Sequence, residues 1–65
     1  MIQATYDKTA DAFYVKLSDK PFVKNKKINN NTILDLDSED KIIGVEFLDA
    51  SKQLSKDVLE QNLSK

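Results

Sequence analysis

One β-hairpin with a single sensible register constrains this chain more than any other feature. Residues 32–51 read TILDLDSEDKIIGVEFLDAS, so two alternating runs flank a polar turn. Such alternation of apolar and polar residues is typical of half-buried strands. A loop at 38–41 creates one inward face by pairing Leu36 with Ile43, Leu34 with Val45 and Thr32 with Phe47. A slip by one residue would move this set to the solvent face, so we predict this register.

A second hairpin is predicted at the start of the chain. Residues 2–6 and 13–17 alternate in the same way around the polar segment DKTADA. The matching register pairs three positions on one face: Tyr6 with Phe13, Ala4 with Val15 and Ile2 with Leu17. Tyr14 and Lys16 then point to the opposite face, because side chains alternate along a strand.

The segment between the hairpins is predicted to be an edge strand. Its sequence, DKPFVKNKKINNN over residues 19–31, holds the single proline and few apolar residues. Lysines on an edge oppose sheet-to-sheet aggregation. The alternative is a nucleic-acid contact through Lys24, Lys26 and Lys27. We do not expect a nucleic-acid partner, because ten lysines against eleven acidic residues, with no arginine, leave no positive field for a phosphate backbone.

The apolar period after Leu48 changes from that of a strand to that of a helix. One side of the predicted helix, at about 51–63, carries Leu54, Val58, Leu59 and Leu63. Asp49 or Ser51 is the expected N-cap, because a short oxygen-bearing side chain can accept from the free N–H groups of the first turn.

These elements predict an α+β fold formed by one domain over residues 1–65. We expect a small antiparallel β-meander of four or five strands, with one C-terminal helix packed on its inward face. The predicted strands lie at about 2–6, 13–18, 22–28, 32–37 and 42–48. The strand count depends on the Lys-rich segment.

Composition argues against an enzyme. The chain has no His, Cys or Arg, and a domain of this length has little room for a cleft, so we expect no catalysis and no cofactor. Its single glycine, Gly44, lies in a strand pattern, and two reasons for it are open. One is local, in that glycine relieves crowding or allows a bulge; the other is close approach of another backbone or side chain. No apolar run approaches the ~20 residues that span a bilayer, and the start lacks a signal-peptide pattern, which favours a cytoplasmic protein without membrane contact.

The second hairpin is acidic and offers a candidate metal site. Positions one, three, five and twelve of a calcium-loop template are filled by Asp35, Asp37, Glu39 and Glu46. Position six, where that loop needs glycine, is Asp40, and the flanking runs alternate like strands instead of helices. The other interpretation is an acidic hairpin whose charges are solvated or paired within the sheet by Lys16. Divalent-cation binding is therefore an alternative function.

An apolar patch on the outward face of the sheet predicts a partner, because large exposed apolar patches mark interaction sites. Glu46 adds to this expectation, since a carboxylate on the second face of a central strand needs a cation or solvent. We predict a non-catalytic interaction module that forms a homo-oligomer, most simply a dimer, or binds a small protein partner. The predicted interaction residues are Tyr14, Ile33, Asp35, Ile42, Glu46 and Leu48.

Four segments of the sequence together resemble a known family. They are Tyr6-Asp7, ADAFYVKL at 10–17, ILDLD at 33–37 and IGVEFLDAS at 43–51. The chain looks like a domain of unknown function 2283 over residues 1–51. The resemblance implies a small prokaryotic or phage-type protein with an antiparallel sheet and a helix, no established activity, and an antitoxin-like partner role. An adaptor role is the other form that we expect the interaction module to take. Asp40-Lys41 stands where the hairpin turn of that family usually has a glycine.

Asp7 and Asp11, which belong to this signature, bracket the first hairpin loop. Aspartate side chains commonly accept hydrogen bonds from nearby backbone N–H groups in turns. We therefore expect both residues to stabilise that loop.

Overall fold

An antiparallel five-stranded sheet and two short helices form the protein in a computed structural model that describes residues 2–60. The elements are β1 (Gln3–Asp7), β2 (Ala12–Lys16), β3 (Lys24–Asn29), β4 (Thr32–Leu36), β5 (Ile42–Leu48), α1 (Ala50–Gln53) and α2 (Lys56–Leu59). The α+β fold class is confirmed, and the Lys-rich segment contributes the fifth strand. Neither described helix has the length and apolar character needed to cross a bilayer.

The strand order is β1-β2-β5-β4-β3, so it departs from a simple meander in one place. Strands β3, β4 and β5 follow one another as a meander, but β5 then lies beside β2, where Phe47 pairs with Phe13 and Val45 with Val15. The physical reason is burial. β5 carries the apolar sequence IIGVEFL and gains a neighbour on both sides, whereas all six residues of β3 are exposed and suit an edge.

Within the strands, both hairpins have the predicted registers except at one position. The predicted pair Ile2–Leu17 lies beyond the ends of β1 and β2, and both side chains are exposed, at 69% and 36%. Ala4 pairs with Val15 in the first hairpin, and Leu34 pairs with Val45 in the second. Leu36 is the exception, since it pairs with Ile42 and not with Ile43. The register shift is a β-bulge, in which one strand carries an extra residue and the alternation of its side chains is reset.

The predicted C-terminal helix is wrong as a continuous element. Leu54 has extended backbone angles, φ −111° and ψ 148°, and separates two helices of four residues each. Helices this short are not stable alone, so tertiary contacts decide where the chain bends. Residues 61–63 of the predicted helix, including Leu63, lie outside the described residues.

The core lies between the helices and one face of the sheet. Ala4, Phe13 and Ala50 are buried at its centre. Half-buried apolar side chains pack around them: Tyr6, Val15, Phe47, Leu54, Val58 and Leu59. The predicted inward face is therefore the one that both helices cover, and neither helix lies on the opposite face.

Candidate interaction surface

The outward face of the sheet, opposite the helices, is crossed by two rows of directly paired residues. The first row reads, from β1 to β3, Thr5, Tyr14, Glu46, Ile33 and Lys27. The second row reads Gln3, Lys16, Gly44, Asp35 and Asn25. Leu48, paired with Ala12, extends this outward face beyond Glu46.

Five of the six predicted interaction residues share the outward face. They are Tyr14, Ile33, Asp35, Glu46 and Leu48, and all five are half-buried. Ile42 does not belong with them. The β-bulge brings it opposite Leu36, and it lines a shallow groove with Leu36 and Leu34 on the helix side of the sheet, where it remains 50% exposed. Its predicted place on the outward face is therefore wrong.

Asp35 is the centre of a hydrogen-bond network on the outward face. The Tyr14 hydroxyl donates to its Oδ2 at 2.9 Å, and the Asn25 side-chain amide donates to its Oδ1 at 2.9 Å. Burial, the hydrogen bond to Asp35 and the negative charges of Asp35 and Glu46 all raise the pKa of Tyr14, which keeps this hydroxyl a donor. The network joins β2, β4 and β3 across the outward face.

Gly44 lies directly beneath the Tyr14 ring of this network. A Cβ atom at this position would lie 2.3 Å from the Tyr14 hydroxyl oxygen and 2.9 Å from its Cζ. The tyrosine ring therefore crosses the strand where no side chain stands in its way, and reaches Asp35 on the far side of β5. Of the two predicted reasons for this glycine, close approach of another group is the one that the structure supports.

The charged groups of the outward face are not paired as predicted. Lys16, the expected counterion of the acidic residues, instead forms an ion pair with Asp19 at 2.9 Å. Glu46 lies in the first row between Tyr14 and Ile33, and Lys27 lies at the end of that row. Within residues 2–60 neither Glu46 nor Lys27 forms an ion pair or a side-chain hydrogen bond.

The predicted calcium site is not formed. In the part of the chain that the structure describes, no three acidic residues come together in an arrangement that could hold a metal ion. Asp37 shows why: it is 4% exposed, and its Oδ1 accepts hydrogen bonds from the backbone N–H groups of Glu39 at 2.8 Å and Lys41 at 3.0 Å. The hydrogen bond from Lys41, and after it the one from Glu39, holds the pKa of Asp37 below its usual range. Its carboxylate closes the hairpin loop.

The three candidate lysines do not form one basic patch. Lys24 and Lys26 pair with Leu36 and Leu34 and so lie on the helix side of the sheet, whereas Lys27 pairs with Ile33 on the outward face. Lys24 is also neutralised by Asp40, at 2.8 Å. The alternation along β3 therefore divides these charges between two faces.

Asp11 has a role that sequence reasoning missed. Its carboxylate accepts from the Tyr6 hydroxyl at 2.6 Å, from the Ser51 N–H at 3.0 Å and from the Ser51 hydroxyl at 2.7 Å. It thus joins the first hairpin loop to the start of α1, where the expected cap Asp49 makes no side-chain capping bond. Asp11 stabilises its loop as expected, but through the Tyr6 hydroxyl across the hairpin and not through a backbone N–H group of the loop. Asp7 accepts from two such N–H groups, those of Thr9 at 3.0 Å and Ala10 at 3.2 Å.

Gln53 forms a second junction between the helices and the sheet. Its side-chain amide donates to the backbone oxygens of Asn31 at 2.9 Å and Leu48 at 2.8 Å, and its Oε1 accepts from the Thr32 hydroxyl at 3.1 Å. Together with Asp11, it orients α1 on the helix side of the sheet. Helix α1 therefore does not cover Tyr14 and its neighbours on the outward face.

Acid is expected to weaken the junction at Asp11. Hydrogen bonds from Tyr6 and Ser51 hold the pKa of Asp11 below its ordinary value of 3.8. A carboxylate with a lowered folded-state pKa stabilises the fold above its unfolded pKa, and this stability is lost as the pH falls through the folded value. We expect Asp11→Asn to reduce the loss of thermal stability between about pH 4 and about pH 2, measured by circular dichroism.

A matched variant separates the charge from the hydrogen bonds. Ser51→Ala keeps the Asp11 carboxylate but removes one of its donors, so an intermediate pH dependence is expected. If Asp11→Asn has the same pH dependence as the unmodified protein, the acid sensitivity does not come from Asp11. Asp37 also has a lowered pKa, so some acid sensitivity should persist in both variants.

Two of the four segments that carry the family resemblance meet at the Asp11 junction, since segment 10–17 contains Asp11 and segment 43–51 contains Ala50 and Ser51. No curated protein and no solved structure matches the chain. A family model described as "Protein of unknown function (DUF2283)" matches residues 3–51, which include all five strands and the start of α1. The chain therefore belongs to the DUF2283 family.

Proposed function

We propose that this protein is a cytoplasmic, non-catalytic interaction module that binds another protein chain through the outward face of its sheet. The other chain is a second copy or a small protein partner, and the module serves an antitoxin-like or adaptor role. The observation that supports this proposal is the position of the two helices. Both pack on the face that carries Ala4 and Phe13, and neither of them covers the opposite face of the sheet.

The composition of the outward face supports the same proposal. An antiparallel sheet with one face in water normally carries polar side chains on that face. Here Ile33 and Leu48 occupy central strands of it, beside the aromatic ring of Tyr14 and beside Glu46, which forms no ion pair within residues 2–60. An apolar centre with aromatic and charged neighbours is typical of the surfaces through which proteins associate.

The environments of the carboxylates favour a non-catalytic role. Asp35 is held by Tyr14 and Asn25, Asp11 by Tyr6 and Ser51, and Asp37 by the backbone of its own loop. Each of these groups accepts hydrogen bonds that stabilise the fold. Such contacts explain why these residues are present without invoking proton transfer to a substrate.

Replacing Ile33 by aspartate tests the proposed surface. We expect at least a tenfold loss of self-association or of capture of a protein partner, because burying an unpaired carboxylate in an apolar contact costs more than the roughly 1.4 kcal/mol that a tenfold change represents. The measurements are sedimentation velocity for self-association and a tagged pull-down for a partner, with circular dichroism to confirm the fold.

Ile42→Asp is the matched control, since Ile42 is an exposed isoleucine on the helix side of the sheet. It should leave both kinds of association unchanged. Equal effects of the two substitutions, or no effect of Ile33→Asp in either assay, would count against the outward face as an interaction surface.

A further inference from the structure

We infer that the outward face binds a second copy of this chain, with a two-fold axis along β4 that places Glu46 of each copy against the partner's Lys27. This inference rests on the proposed function and names the partner for the same surface. It is carried by the order of residues in the first row of the outward face and by two charges in that row that form no ion pair with any described residue.

Glu46 and Lys27 lie at equal distances on the two sides of Ile33. In the first row Glu46 is on β5, Ile33 is on β4 and Lys27 is on β3. Neighbouring strands are about 4.8 Å apart, so the backbones of the two charged residues are separated by about 10 Å. Ile33 stands between them, and in the described part of the chain each charge lacks an ion-pair partner.

Two-fold symmetry converts this arrangement into a self-complementary surface. Most homo-oligomers are two-fold symmetric, and such interfaces use the same patch on both copies. When two sheets pack face to face, an axis between them that runs along β4 exchanges the β5 side of one copy with the β3 side of the other. Glu46 then faces the partner's Lys27 twice, and Ile33 faces its own equivalent at the centre.

Other axes produce poorer contacts. An axis along β5 sets Glu46 against its own equivalent, and an axis across the strands along the first row sets both Glu46 and Lys27 against like charges. Like charges that face each other across an interface disfavour association. Among these three arrangements, only the axis along β4 pairs Glu46 with Lys27. The axis along β5 would also set Lys16 against the partner's Asp35, but Lys16 is already bound to Asp19, and Asp35 to Tyr14 and Asn25.

Asp35 is the group that opposes this dimer, because it also lies on β4 and so approaches its own equivalent. Tyr14 and Asn25 of the same copy donate hydrogen bonds to its two carboxylate oxygens. These hydrogen bonds reduce the repulsion between the two Asp35 carboxylates. The remaining repulsion and the small size of the face predict a weak dimer. Association should therefore be measured at protein concentrations from about 10 µM to about 1 mM, the range in which a weak dimer forms and dissociates.

Charge reversal tests the arrangement directly. Glu46→Lys makes both charged positions of the first row positive, and Lys27→Glu makes both negative. Each variant alone is expected to self-associate at least tenfold more weakly than the unmodified protein, because like charges then face each other across the axis. An equimolar mixture of the two variants should form a heterodimer, since every contact again joins opposite charges. The variant with both substitutions should also self-associate.

Recovery in the mixture excludes misfolding as the cause of the losses, because two unfolded chains would not regain a specific dimer. Lys26→Glu is the matched control, since Lys26 neighbours Lys27 but lies on the helix side of the sheet. It should leave the dimer unchanged. Sedimentation equilibrium supplies the association constants.

Two results would overturn the inference. Failure of the mixture to associate more strongly than either variant alone would remove the predicted pairing. A monomeric unmodified protein over the whole concentration range would remove the second copy as partner. In that case a partner captured by the unmodified protein and lost in Ile33→Asp would still support the proposed function, whereas no effect of Ile33→Asp in any assay would end both.

Discussion

Replacing Phe13 by alanine is expected to leave most of the chain unfolded at 25 °C. Phe13 is 4% exposed and lies on β2 between Tyr6 and Phe47, with its ring 6.2 Å from that of Tyr6. Truncating a buried phenylalanine typically costs about 3–5 kcal/mol. A single core in a chain of this length supplies about the same amount, so little or no stability remains. Far-ultraviolet circular dichroism and a urea titration measure the effect.

Phe22→Ala is the matched control for this substitution. Phe22 is 56% exposed and precedes β3, so the same change in side chain should alter the free energy of unfolding by no more than about 0.5 kcal/mol. A cooperative urea transition at an unchanged midpoint in Phe13→Ala would mean that the core of the protein lies elsewhere.

Gly44→Ala is expected to destabilise the protein by about 1–3 kcal/mol, although alanine is ordinarily a harmless substitution in a strand. The new Cβ would overlap the Tyr14 ring, whose hydroxyl oxygen lies 2.3 Å from that position. The ring must then rotate away and lose its hydrogen bond to Asp35. The backbone at Gly44 does not require glycine, since its φ is not positive, so the whole cost is assigned to the ring. Urea denaturation gives the value.

A double-mutant cycle isolates the contribution of Tyr14. In the Tyr14→Ala background, Gly44→Ala should cost nearly nothing or should stabilise the strand, because alanine loses less conformational freedom on folding than glycine. Tyr14→Phe should give an intermediate result, since it removes the closest atom but keeps Cζ, at 2.9 Å. An equal cost of Gly44→Ala in all three backgrounds would show that the tyrosine ring is not the reason for this glycine.

Local pairing in both hairpins follows from the sequence alone. Tyr6–Phe13 and Leu34–Val45 are separated by short polar loops, and the alternation of apolar residues leaves one register that buries them. The alternation of apolar residues could not predict the bulge at Ile42. Alternation indicates which residues share a face only while each residue has one partner, and an extra residue in β5 places Ile42 with Leu36 on the helix side.

The candidate surface was largely predictable because it depends on the same alternation. Tyr14, Ile33, Asp35 and Glu46 occupy alternate positions of three strands, and these strands are neighbours in the sheet. The pairing of charges was not predictable. Lys16 shares the outward face with Asp35, yet it binds Asp19 in the following loop, because a long flexible side chain pairs with whichever carboxylate the loop brings close.

By itself the sequence determined the four strands of the two hairpins, their registers up to the bulge, and the family, since each depends on neighbouring residues or on a local motif. Only the tertiary structure decided that β5 lies beside β2, that the C-terminal helix breaks at Leu54, and that Asp11 binds Ser51, forty residues away. These contacts join distant parts of the chain. Their energies depend on the whole fold, so no local pattern of residues records them.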